Sequence, residues 1–187
     1  MEMPSPPAVR FPPRRSRPLA FALSLSLSAT LLPSAPSAAA DGTLPPPEGE
    51  VLLVVRGEIE RPNVGDEARL DRTLLEGLPR TRFVTNTPWT EEAEAFEGVR
   101  VSTLLEAVGA TRPRFEAVAL DDYRVTIEGL DFERYPVIVA DTRDGEPMTT
   151  RRLGPLWIMF PFDDYPELLT QTVKSFAVWQ LVEMEVR

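Results

Sequence analysis

Apolar residues in this chain come in short runs separated by turn signals, and the runs have strand rather than helix periodicity. Glu50 to Gly57 (EVLLVVRG) is a β-branched apolar stretch closed by Gly, short enough to predict a buried strand. Arg61-Pro62-Asn63-Val64-Gly65 turns the chain, and Leu70 leads into a segment where Asp71 caps a short helix and Gly77 ends it. Arg82-Phe83-Val84 reads as a strand. After Gly98-Val99-Arg100-Val101, the Ser102 hydroxyl is the predicted cap of a second helix, with Leu104, Leu105 and Val108 on one face and Gly109 as its stop. Phe115 to Leu120 and Tyr123 to Ile127 are predicted strands joined by Asp121-Asp122. Val137 to Ala140 is another, ending before the Asp144-Gly145 turn. Gly154 to Pro161 is an apolar strand fenced by Pro, and Trp179 to Val186 closes the chain with Leu181, Met184 and Val186 apolar. Neither a repeat nor a long amphipathic helix is visible, so the pattern predicts an α+β domain with mixed sheets and a few short helices, not a doubly wound sheet.

The N-terminus has a different pattern. Arg14, Arg15 and Arg17 precede an apolar run over residues 19–32, and Ser37-Ala38-Ala39-Ala40 follows before Asp41. Basic, apolar and small-residue regions in that order predict a signal peptide over residues 1–40. The run holds about fourteen residues, four of them Ser or Thr, where a bilayer span takes roughly twenty apolar ones. The mature chain is therefore expected in the periplasm or outside the cell, with no integral membrane segment after cleavage. Arg14-Arg15 is the pair a twin-arginine signal uses, but Ser16-Arg17-Pro18-Leu19 departs from the residues that usually follow it, which leaves both export routes open. Residues 41–49, with Pro45-Pro46-Pro47, read as an extended Pro-rich linker ahead of a single domain over 50–187.

Composition narrows the chemistry. The formal net charge is -9, and residues 1–40 hold four Arg against one Glu, so the mature chain carries about -12. An acidic surface repels phosphate backbones, and no basic stripe interleaved with aromatics appears, so nucleic acid is not an expected partner. Lys174 is the one Lys in the chain. With neither Cys nor His, the chain cannot form a thiolate or imidazole metal site, a Cys nucleophile or an imidazole-based serine triad. Neither GxGxxG nor GxxxxGK[ST] occurs, which argues against a nucleotide bound in the usual manner.

Carboxylates remain. Asp121-Asp122 and Asp163-Asp164 have the oxygen chemistry for a hard cation, but adjacent acids in turns ordinarily serve local amides or water. Glu91, Glu92, Glu94 and Glu97 read as a solvated acidic loop. Thr85-Asn86-Thr87-Pro88-Trp89 is the main candidate for binding, because it gathers hydroxyl, amide and indole groups at a strand end where Pro forces an irregular path. Tyr123 and Trp157 are further candidates, with core packing the alternative fate of such aromatics.

The order of VRGEIERPNVG, TNTPW, FEGVRVSTLLEAVGA, ALDDYRVTI and DGEPMTTRRLGPLWIMFPFDD before AVWQLVEMEV resembles the molybdopterin-binding domain of the sulfite oxidase family, especially its small exported bacterial members. The likeness runs over roughly residues 50 to 187. It implies the sulfite oxidase-like molybdopterin-binding fold. In catalytic members a Cys binds molybdenum through sulfur, and here Thr85 stands at that position. A thiol, titrating near pKa ~8.5, supplies a soft anionic ligand, whereas a Thr hydroxyl stays neutral and binds metal poorly. The family also holds the cofactor's phosphate with basic side chains, for which Arg82, Arg124, Arg151 and Arg152 are the available substitutes.

The resemblance thus implies a non-catalytic ligand-binding or sensing module whose pocket uses Thr85, Asn86, Thr87, Trp89 and Tyr123. No metal ligand and no resident cofactor are expected, molybdopterin being the one group the likeness admits. Expected partners are a small polar ligand or a membrane-bound signalling or redox protein. The alternatives are a molybdopterin-dependent oxidoreductase whose metal is held by the pterin alone, and a purely structural domain whose pocket is filled by its own side chains.

Overall fold

The structure is a computed structural model and describes residues 43–110, 112 and 114–187. The predicted signal peptide lies outside the described residues. Two sheets and three short helices form an α+β domain. The first sheet has the order β2 (Ala68–Asp71), β1 (Val51–Gly57), β10 (Leu181–Val186), β5 (Phe115–Ala119), β6 (Arg124–Ile127). β1 runs parallel to β10, and the other pairings are antiparallel. The second sheet is antiparallel, with the order β3 (Arg80–Thr85), β4 (Glu94–Arg100), β7 (Ile138–Arg143), β8 (Glu146–Pro147), and β9 (Trp157–Met159) also pairs with β7.

Both faces of β7 and β9 in the second sheet are covered, which explains why residues 137–140 and 156–160 read as unbroken apolar runs. Side chains alternate across a strand. Val137 and Val139 accordingly enter the larger core with Leu53, Leu104 and Met184, while Ile138 and Ala140 enter a smaller one with Phe96, Met148 and Trp157. The 156–160 segment divides likewise, Ile158 and Phe160 to the larger core and Trp157 and Met159 to the smaller.

Helix α1 (Arg72–Glu76) begins and ends as its sequence predicts: the Asp71 carboxylate accepts the Leu74 amide at 2.9 Å, and Gly77 is the C-cap. Asp71 also accepts the amides of Glu48 at 2.9 Å and Gly49 at 2.8 Å. Asn63 donates to the Pro45 carbonyl at 2.8 Å, so the end of the Pro-rich stretch is fastened to the domain. The bonds from Leu74 and Gly49, the largest causes, hold the Asp71 carboxyl below its ordinary pKa against the opposing effect of burial.

Two local readings are corrected. Helix α2 (Val101–Ala107) starts one residue before the predicted Ser102 cap; its N-cap is Arg100, which makes no side-chain cap bond. The Val101 amide is instead satisfied by the Val137 carbonyl at 2.9 Å. Glu94 and Glu97 belong to β4 and not to an acidic loop. Glu94 pairs with Arg143 and Glu97 with Arg80, and Ala95 and Phe96 between them are buried.

Arg80 also forms a bidentate pair with Asp141, at 2.6 and 2.7 Å. That side-chain bonding, ahead of the opposing effect of burial, raises the guanidinium above its ordinary pKa. Helix α3 (Gln171–Phe176), capped by the Thr170 hydroxyl on the Val173 amide, completes the domain. Among the described residues no helix is long and apolar enough to cross a membrane.

Candidate functional site

The TNTPW segment leaves the end of β3 and divides into two parts with different surroundings. Thr85 is fully buried, and its hydroxyl is engaged on both sides, donating to the Asn86 carbonyl at 3.2 Å and accepting the Asp163 amide at 3.1 Å. Asn86 answers through the same aspartate, whose Oδ2 accepts both its backbone and its side-chain N–H at 2.9 Å. The Thr87 hydroxyl lies 3.0 Å from that of Thr90 and accepts the Trp89 amide at 3.2 Å. Thr85 and Asn86 therefore form a clasp that ties the loop to Asp163, while Thr87 braces the turn that follows.

Trp89 belongs to the second part. Its ring packs on Trp157, Trp179 and Phe162, with centroids 5.8, 6.1 and 6.4 Å away. Its outer surface helps to line a cavity of about 340 Å³, within the size range of small-molecule sites. Tyr123 lines the same cavity, 45% exposed, and its hydroxyl donates to the Ser175 carbonyl at 3.2 Å. Of the five site residues read from the sequence, Trp89 and Tyr123 meet at this cavity; Thr85 and Asn86 lie in the clasp, and Thr87 in the turn between.

Three further lining residues lie outside those five: Trp179, Lys174 and Asp121, the last of which stands out in the sequence only as half of an acidic pair. Trp179, 36% exposed, stands edge-on to Trp89 and bridges β9 at Trp157. Lys174 projects from α3 and makes no ion pair or side-chain hydrogen bond among the described residues. It is the sole cation of the lining, and its being the chain's one Lys is the signal that marks it in the sequence. Asp121 accepts the Tyr123 amide through Oδ1 at 3.1 Å, and its Oδ2 has no hydrogen-bond partner among the described residues.

Backbone strain surrounds the cavity. Gln180, next to Trp179, has φ 51°, and Asp122, next to Tyr123, has φ 66°. The left-handed region costs a non-glycine side chain about 1 kcal/mol or more and persists only where surrounding bonds enforce it. Here the Gln180 carbonyl accepts the Leu120 amide at 2.9 Å and the Gln180 amide donates to the Leu153 carbonyl at 3.1 Å.

None of the four arginines with the chemistry to hold a phosphate lines the cavity. Arg124 is paired with Glu116 at 3.2 Å, and Arg82, Arg151 and Arg152 are exposed. For a molybdenum held through a protein side chain the residues do not fit: the buried Thr85 oxygen is neutral and already engaged on both sides. Among the described residues no three carboxylates gather as a metal site.

No family model matches the chain, and no curated protein matches it. Among solved structures it is similar to the sulfane dehydrogenase SoxCD from Paracoccus pantotrophus, with a TM-score of 0.53 and 15% identity. The match covers 72% of this chain and 37% of that one, so the chain spans little more than a third of that protein's length. The likeness is one of fold and supports a distant relationship.

Proposed function

We propose that this chain is an exported, non-catalytic ligand-binding module built on a scaffold like the molybdopterin-binding domain of the sulfite oxidase family, from which the metal-gripping side chain is missing. The likeness in fold to a sulfane dehydrogenase agrees with the motif order in supporting that scaffold. One observation carries the non-catalytic reading: the Thr85 hydroxyl, at the position where the family's Cys belongs, spends its hydrogen on Asn86 and accepts from Asp163. A cavity bounded by Trp89, Trp179 and Tyr123 adjoins this clasp and keeps charged groups free for a ligand. The signal peptide read over residues 1–40 supports work in the periplasm or outside the cell, where a bound small molecule would be sensed or handed to a membrane-bound partner.

The test is to purify the protein from its own cells, sequence its N-terminus, and analyse what it releases on denaturation. A mature chain beginning near Asp41, with an organic ligand released and no molybdenum, is the expected result. Recovery in the cytoplasm with residues 1–40 intact would refute export, and a stoichiometric metal would refute the binding reading.

A further inference from the structure

Lys174 and Asp121 line one cavity, yet among the described residues they form no ion pair with each other and neither pairs with any other charged side chain. Opposite charges placed in a shared concavity and left unpaired are costly to cover with an apolar ligand, because each would lose water without a replacement partner. A simple anion would meet Lys174 but also Asp121 and the field of a chain whose net charge is -9. A simple cation would satisfy Asp121 and leave Lys174 facing it. A ligand carrying both charges meets neither objection.

The aromatic walls favour the same class. Trp89 and Trp179 meet at 68°, presenting two differently directed indole surfaces beside Tyr123. Indole faces attract ammonium groups, and methylated ones most effectively, because their charge is spread over apolar surface that also packs on the ring. We propose that the cavity binds a small zwitterion, its carboxylate on the Lys174 ammonium and its own ammonium group against the Trp89 and Trp179 rings and Asp121. The inference rests on the reading of the domain as a binding module and specifies its ligand class.

All three Trp of the chain lie in this aromatic cluster, so intrinsic fluorescence reports on it directly. The purified protein is titrated with glycine betaine and glycine as zwitterions, choline as the cation alone and acetate as the anion alone. Saturable binding of at least one zwitterion is expected, with choline and acetate each weaker by about tenfold or more, the loss expected for one missing charge contact. Betaine ahead of glycine assigns a methylated ammonium, and the reverse order a primary one. Lys174→Gln and Asp121→Asn should each weaken the zwitterion by about tenfold without moving the thermal midpoint, since Asn keeps the acceptor for the Tyr123 amide.

Acetate or choline binding as tightly as either zwitterion, or an Asp121→Asn variant that binds unchanged, overturns the zwitterion assignment and leaves the binding module standing. Silence toward all four compounds from a folded protein also overturns the assignment. The binding module itself fails on a different readout, stoichiometric molybdenum.

Discussion

The Thr85 hydroxyl accepts the Asp163 amide at 3.1 Å while the Asp163 carboxylate accepts two N–H groups of Asn86 at 2.9 Å, so residues 77 and 78 positions apart hold each other through reciprocal bonds. The clasp gives the buried Thr85 hydroxyl a structural task. Replacing it by the nearly isosteric Val would leave the Asp163 amide without its acceptor. Thr85→Val is expected to cost about 1–3 kcal/mol, the penalty of an unsatisfied amide, measured by urea unfolding. An unchanged midpoint would show that water replaces the hydroxyl without loss.

Arg80 and Asp141 should behave as a unit. Asp141 is 2% exposed and Arg80 23%, so removing the arginine strands a buried carboxylate. Arg80→Ala is expected to destabilise by about 3 kcal/mol. The double variant Arg80→Met/Asp141→Leu should recover much of that loss, because replacing both partners removes the stranded charge. A double-mutant cycle in urea decides it, and strictly additive losses would contradict the pairing.

Gly98 sits opposite Ala140 in the antiparallel pairing of β4 with β7, beside a shift in register. A Cβ placed there would overlap the Val139 carbonyl and come within 2.7 Å of the Ala140 Cα, both backbone atoms that cannot step aside without parting the strands. Gly98→Ala should destabilise by about 3 kcal/mol or more, as severe overpacking does, or prevent accumulation of folded protein. Gly129, with nothing within 4 Å of its Cβ position, is the contrasting site, its left-handed φ of 72° giving Gly129→Ala a smaller cost of about 1 kcal/mol. Equal losses at the two positions would refute the steric account.

Asp71 predicts an acid dependence. Its folded-state pKa is lowered, so its contribution is complete above the unfolded value of about 3.9 and is lost as pH falls through the folded value. Asp71→Asn, which removes the charge and turns an N–H toward donor amides, should destabilise at pH 7 by about 1–2 kcal/mol. The penalty should shrink as pH drops below about 4, where the unfolded chain's carboxyl takes up a proton that the folded carboxylate still resists, and vanish below the lowered folded value. Urea midpoints at both pH values check the sign; a penalty that grows toward acid would contradict it.

Local signals were legible in the sequence and non-local ones were not. Asp71 and Gly77 bound their helix because capping needs only neighbouring residues, and the Asp144-Gly145 turn joins β7 to β8 with both residues at positive φ. By contrast Glu94 and Glu97 look solvated in sequence, since the arginines they meet lie on other strands. Ser102 looks like a cap because the carbonyl that takes its place, at Val137, is 36 positions from Val101. The parallel pairing of β1 with β10 joins opposite ends of the domain and leaves no mark on either strand. The cavity follows the same rule: Trp89 and Tyr123 stand out as aromatics, but only the folded backbone brings them to Lys174 and Trp179.

The molybdenum content of the protein purified from molybdate-fed cells tests the central claim most directly. Less than about a few hundredths of an atom per chain is the outcome expected of a domain whose neutral Thr85 hydroxyl is hydrogen-bonded on both sides and grips no metal. About one atom per chain, cycling between oxidation states, would mean that a pterin holds the metal without help from this side chain and that the domain is an enzyme.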